Sequence, residues 1–152
     1  MSPDKKDILL ELGWIEPLIG TYIKEIANKK LVRYKDIIHT GAKRGESLFT
    51  HVVNGVFLIE RLRDVLSLSD IEAKVLFTAY TVHDINKLPE YDGRSRSSSD
   101  IAIKENIAKE LKNLEMELFF PEYEDYLDDI ETLVRAHSGH YHHDGKSLIR
   151  SY

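Results

Sequence analysis

The chain contains no cysteine in its 152 residues. Disulfides and thiolate metal sites are therefore excluded, and any metal must be held by imidazole and carboxylate. Lack of cysteine is compatible with a reducing compartment, and the cytoplasm is the expected location. No run of 18 apolar residues occurs, so no membrane span is expected. Glu11 and Gly13 interrupt the apolar stretch after the charged N-terminus, which argues against a signal peptide. Strand-length alternation and internal repeats are also missing. What remains is helical.

A length of 152 residues fits one domain, spanning 1–152, with enough chain to bury a core. The formal net charge of −5 argues against a surface that binds nucleic acid everywhere. Charge is unevenly spread, however. Residues 24–44 carry Lys24, Lys29, Lys30, Arg33, Lys35, Lys43 and Arg44 against only Glu25 and Asp36. Residues 115–131 carry eight acids and neither Lys nor Arg. Each block reads either as a solvated helix face or, in the basic case, as an edge that guides a polyanion.

Apolar residues recur at helical spacing throughout. Ile8, Leu12, Ile15, Ile19, Tyr22 and Ile26 form the stripe of a first helix, with Pro17 predicting a kink or break near Glu16. Residues 39–46 read as a loop with two glycines and two cations. Ser47 is a candidate N-cap for a second helix, with Leu48, Val52, Val56 and Ile59 inward and His51 on the same face. Ser69 and Glu72 form a capping-box signature for a third, with Val75, Leu76, Ala79 and Val82 on its core side and His83-Asp84 at its end. Residues 89–99 read as a loop. Ile103, Ile107, Leu111, Leu114 and Leu118 predict a fourth helix. Pro121 sits at the expected first position of a fifth, whose stripe runs Tyr123, Leu127, Ile130, Val134 and His137, with Gly139 ending it. The expected fold class is all-α, a bundle of about five to six helices.

The histidines are the informative feature. His51, His83 and His137 fall on the inward stripes of three different helices. One such histidine is ordinarily a satisfied core residue. Three are harder to account for in that way, because each buried imidazole needs a partner and a shared metal supplies one. The His-Asp dipeptide alone is weak: chance gives about 0.5 such pairs (7 × 12/152), and the chain has two, His83-Asp84 and His143-Asp144. Only the first ends an apolar helical stretch.

Imidazole and carboxylate without sulfur suit Mn, Ni, Co, Fe, Mg or Zn. In this reading His51, His83 and Asp84 hold one divalent ion, and Asp84 bridges to a second held by His137 with members of the set His140, His142 and His143. Two such ions about 3.5–4 Å apart would clamp a phosphate and orient a water. Lys87 reads either as a donor to a phosphate or alkoxide oxygen or as a solvated lysine. Asn86 tolerates a left-handed conformation that would turn the chain sharply after the ligands. Lys43, Arg44, Arg94 and Arg96 are candidate substrate-binding cations, beside Lys29 and Lys30. The histidine cluster 140–143 has a plainer reading as a loop that binds adventitious metal.

The pattern His51…His83-Asp84…His137 resembles the HD metal-dependent phosphohydrolase superfamily, a helical-bundle family with an H…HD…D motif. His83-Asp84-Ile85-Asn86-Lys87 resembles the HD-x-Gly-Lys form of CRISPR helicase-nucleases, with Asn86 in place of the usual Gly. Residues 27–35, 45–55, 83–87 and 136–140 together look like the N-terminal HD domain of the large subunit of type I-D CRISPR effector complexes. The resemblance spans about residue 8 to the end. It implies a metal-dependent DNA nuclease that works with guide RNA, backbone subunits and a separate helicase. By it, His51, His83 and Asp84 are metal ligands, and His137 with the nearby histidines serves a second metal. Asp84 and Lys87 are the candidate catalytic residues of the residue reading above. The family's final Asp has no match before Tyr152, so the chain is expected to be an N-terminal fragment of a larger protein. Two other readings stand beside this one: an HD phosphohydrolase acting on a nucleotide or cyclic dinucleotide, and a non-catalytic domain stabilised by its metal.

Overall fold

A capping box starts the central helix. The Ser69 hydroxyl accepts from the Glu72 N–H at 3.1 Å while the Glu72 carboxylate accepts from the Ser69 N–H at 2.9 Å, satisfying two donors that a helix start leaves open. In the computed structural model, which describes residues 17–38, 45–91 and 103–137, five helical rods make the fold. Rod α1 runs through Pro17–Tyr22, a π-helical turn at Ile23–Ala27 and Asn28–Lys30. Helix α2 is Leu48–Leu62, α3 Asp70–Thr81, α4 Lys104–Asn113 and α5 Leu127–His137. Among the described residues there is no strand, only an isolated bridge between Ile38 and Ser47, and no helix long and apolar enough to cross a membrane. The all-α expectation holds.

Helix α3 is packed between α2 and α5, which explains why its buried set, Ala73, Val75, Phe77, Thr78, Ala79 and Thr81, wraps around more than one face. Its two buried threonines return their hydroxyls to carbonyls one turn back, Thr78 to Lys74 and Thr81 to Phe77, both at 2.7 Å. Tyr22 on α1 meets Phe77 and Phe119 edge-on, with centroids 5.8 and 5.3 Å away. Its hydroxyl lies 2.6 Å from Thr81 Oγ1. That contact anchors the end of α3, two residues before His83.

The π-turn in α1 keeps its stripe on the core. A Leu31 N–H to Ile26 carbonyl bond spans five residues, and Ile19, Tyr22, Ile23, Ile26, Ala27 and Leu31 are all buried. The earlier part of the predicted stripe, with Glu16, lies outside the described residues. Ser47 caps α2 as expected, accepting from the Thr50 N–H at 3.1 Å.

Several boundaries differ from the periodicity. Helix α4 stops at Asn113 rather than running to Leu118, because Glu115 takes a left-handed φ of 48°. Leu118 is consequently exposed, at 42%. Pro121 is exposed in a turn, not at the start of α5; a 3-10 turn at Tyr123–Tyr126 intervenes and α5 begins at Leu127. The loop expected from residue 89 opens with a 3-10 turn, Pro89–Tyr91, that buries Tyr91. Asn86 is not left-handed; it lies inside the 3-10 turn Ile85–Lys87. Helix α3 ends at Thr81, so His83 and Asp84 stand just past the helix in a chain of short turns.

Candidate metal centre

His51 enters from the first turn of α2, where its N–H donates to the Ser47 carbonyl at 3.0 Å. His83 and Asp84 enter from the end of α3. The two Nε2 atoms lie 3.1 Å apart, and Asp84 Oδ2 is 3.0 Å from His83 Nε2 and 3.4 Å from His51 Nε2. One donor atom from each of the three residues thus falls within 4.8 Å of the others. Metal bonds of about 2.0–2.1 Å place neighbouring ligand atoms about 3.0–3.4 Å apart, from octahedral to tetrahedral angles. The spacing fits.

Hydrogen bonding supports the same use. His83 Nδ1 lies 2.5 Å from the Tyr80 carbonyl, which can only accept, so the ring proton sits on Nδ1 and the Nε2 lone pair faces Asp84. A lone pair and a carboxylate oxygen 3.0 Å apart repel unless a positive centre, proton or metal ion, joins them. His83 is 3% exposed, so water cannot easily serve instead. His51 and Asp84 keep an open side, with side chains 24% and 17% exposed.

Two residues beside this cluster escaped the sequence reading. Tyr80 lays its ring against His83, centroids 4.2 Å apart, with its hydroxyl 3.4 Å from His51 Nε2. Burial, then the negative charges of Asp84 and Glu46, push its phenol up to about 12. Its position three residues before His83 on α3 was an available signal. Glu46 places Oε1 3.4 Å from His51 Nδ1. It precedes the helix in an irregular turn, where no periodicity marks it.

Chain comparison adds no relative. Neither a family model, nor a curated protein, nor a solved structure matches this chain.

Of the other candidates, Lys87 closes the turn after Asp84, its backbone N–H donating to the Asp84 carbonyl at 2.8 Å. His137 is the last residue of α5; its side chain, together with His140, His142 and His143, lies outside the described residues. So do Lys43, Arg44, Arg94 and Arg96. Most described cations of the basic segment have partners within the domain. Lys29 pairs with Glu25 at 3.0 Å, Lys30 with Glu115 at 2.7 Å, and Arg33 with Glu90 and Glu110. Lys35 stands over the Phe49 ring at 4.8 Å. These cations are engaged within the domain.

Proposed function

We propose that this chain is a metal-dependent phosphodiesterase, the DNA nuclease module of a CRISPR effector complex that also carries guide RNA and works with a helicase. The convergence of His51 Nε2, His83 Nε2 and Asp84 Oδ2 within 4.8 Å carries the metal-dependent part. The DNA and CRISPR part rests on the resemblance of residues 27–35, 45–55, 83–87 and 136–140. A divalent ion held by this trio supplies Lewis acidity toward phosphoryl oxygen and lowers the pKa of water. The chain's own residues hold that ion and orient the reacting groups. Asp84 contributes the negative charge, the buried His83 fixes the inner wall, and the partly open His51 and Asp84 leave an approach for a phosphate. The Tyr80 hydroxyl, protonated at neutral pH, stands beside that approach as a hydrogen-bond donor. Lys87, whose backbone closes the turn after Asp84, would supply the cation for a phosphate oxygen or departing alkoxide.

One observation favours a second substrate class. The engagement of Lys29, Lys30 and Arg33 with acids weakens the case for a polyanion groove on that face. Hydrolysis of a nucleotide or cyclic dinucleotide is the runner-up.

The test is cleavage of labelled single-stranded DNA, a cyclic dinucleotide and bis(p-nitrophenyl) phosphate with Mn, Ni, Co or Mg, comparing wild type with Asp84→Asn. Metal-stimulated DNA cleavage that the variant lacks is expected. Turnover of the cyclic dinucleotide alone would move the substrate to the second class. Equal turnover by the variant would sink the catalytic reading.

A further inference from the structure

We infer that the exposed side of α2 beyond the metal centre is a docking surface for a second copy of this chain. The two α2 helices pack antiparallel about a twofold axis at the level of Leu62. The inference goes beyond the phosphodiesterase reading and stands apart from it.

Seven large hydrophobic residues are exposed among the described residues, and four of them, Leu58, Leu62, Val65 and Leu66, fall within nine positions. Steps of four and three set Leu58, Leu62 and Val65 along one side of a helix, with Leu66 one turn after Leu62. The helical path runs on past Leu62, because the Leu66 N–H donates to the Leu62 carbonyl at 2.9 Å. It stops at Ser67, whose φ of 54° is left-handed, and the Leu68 N–H closes the end on the Arg63 carbonyl at 2.9 Å. The stripe therefore sits on a capped last turn. Leu58 and Val65 are 55% and 78% exposed. Single hydrophobics scattered on a surface need no explanation, but a contiguous group marks an interaction site.

Charge decides the partner. Leucine and valine offer no ring for a base to stack on, which argues against nucleic acid on this face. Arg61 and Asp64 are both exposed on one edge of the stripe, and neither has an ion pair among the described residues. Arg63, between them, is committed to Asp70 and Glu60. One cation and one anion on the same edge make the face its own complement. A twofold axis at Leu62 sets Leu58 opposite the partner's Val65, Leu62 opposite the partner's Leu62 and Arg61 opposite the partner's Asp64, each contact being repeated by symmetry. The overlap runs from Leu58 to Leu66. His51 lies eleven positions before Leu62, about 16 Å along the helix, so the open side of the metal centre stays free. Four partly exposed side chains fall short of the roughly 800 Å² that each partner gives to a stable complex, so the dimer is weak and concentration-dependent.

Analytical ultracentrifugation of the intact chain at tens to hundreds of micromolar tests the surface. A chelator in the buffer keeps the outcome separate from that of metal binding. Wild type should pass from monomer to dimer across that range. Leu58→Glu, at an exposed position, should abolish the dimer and leave the melting curve of the monomer unchanged. Arg61→Asp and Asp64→Arg each bring like charges together at two symmetric places and should weaken association about tenfold. The double variant, Arg61→Asp with Asp64→Arg, restores opposite charges and should recover the wild-type affinity. A wild type that stays monomeric, or a dimer indifferent to Leu58→Glu, would overturn the inference. So would a double variant that associates no better than the single ones.

Discussion

Gly55 and Tyr80 share one space: a Cβ built on Gly55 would lie 2.0 Å from a ring carbon of Tyr80 and 2.4 Å from its hydroxyl. Gly55 is one helical turn after His51 on α2, and its missing side chain is what lets the phenol reach His51 Nε2 at 3.4 Å. Gly55→Ala should therefore displace Tyr80 and cost about 1–3 kcal/mol, as overpacking does. Pairing it with Tyr80→Ser should recover much of that loss. Denaturant unfolding of the two single variants and the double variant gives the coupling directly; strict additivity would show that the two sites do not share this space.

Metal should stabilise the folded chain. At a free ion concentration of about 100 times Kd, a single site adds about 2.7 kcal/mol. For a domain of this size that corresponds to a rise of about 5–11 °C in Tm. A chelator should reverse the rise, and Asp84→Asn should show little of it. Thermal melts with Mn and Ni provide the measurement. An unchanged melting curve at saturating metal would argue against the site. Unfolding on chelation at room temperature would instead favour the non-catalytic, metal-stabilised reading.

Glu110 is a fully buried acid on α4. Its carboxylate accepts from Tyr34 Oη at 2.6 Å and from Arg33 at 3.2 Å, while Arg33 also reaches Glu90. The Arg33 guanidinium holds the Glu90 carboxyl below its usual range. The group ties the 3-10 turn Val32–Asp36 to α4 and to the turn that follows Lys87. Arg33→Ala leaves Glu110 as a buried charge with a weakened set of partners and should cost about 3–5 kcal/mol. Glu110→Ala frees the partly exposed Arg33 to turn outward, so its cost should be smaller, about 1–3 kcal/mol, mostly from the orphaned Tyr34 hydroxyl. Urea midpoints rank the two variants. The reverse order would mean that Arg33 contributes little.

Three tyrosines should make the domain sensitive to alkali. Burial raises Tyr22 and Tyr34 above the ordinary phenol range, the latter further raised by the Glu110 charge, and Tyr80 is pushed up to about 12. The folded values exceed the unfolded value of about 10. Their contribution to stability is therefore complete below about pH 10 and is lost as pH rises through the folded values. Absorbance at 295 nm should show Tyr22, Tyr34 and Tyr80 ionising late, with Tyr91 and Tyr123 also held up by burial, together with unfolding followed by circular dichroism. Reversible titration of all eight near pH 10 in folded protein would contradict the burial assigned to them.

Helix existence and type could be read from the chain because amphipathic spacing and caps are local properties. Ser47, the Ser69–Glu72 box and the inward stripe of α2 all appear where residues within a few positions of each other put them, whereas on α3 Val75 and Ala79 are buried as read but Phe77 replaces Leu76 in the core. The His83-Asp84 pair was equally legible, since adjacency in sequence ensures adjacency in space. Tertiary contacts decided the rest. His51 meets Asp84, Lys30 meets Glu115 and Arg33 meets Glu110 across 33, 85 and 77 positions of chain, so composition alone could not reveal that Lys30 and Arg33 were already engaged. The left-handed Glu115 cut α4 short within an uninterrupted stripe, because the following turn packs Met116, Phe119 and Phe120 into the core. Periodicity says which face of a helix goes inward; only packing decides which inward atoms meet, and with what charge.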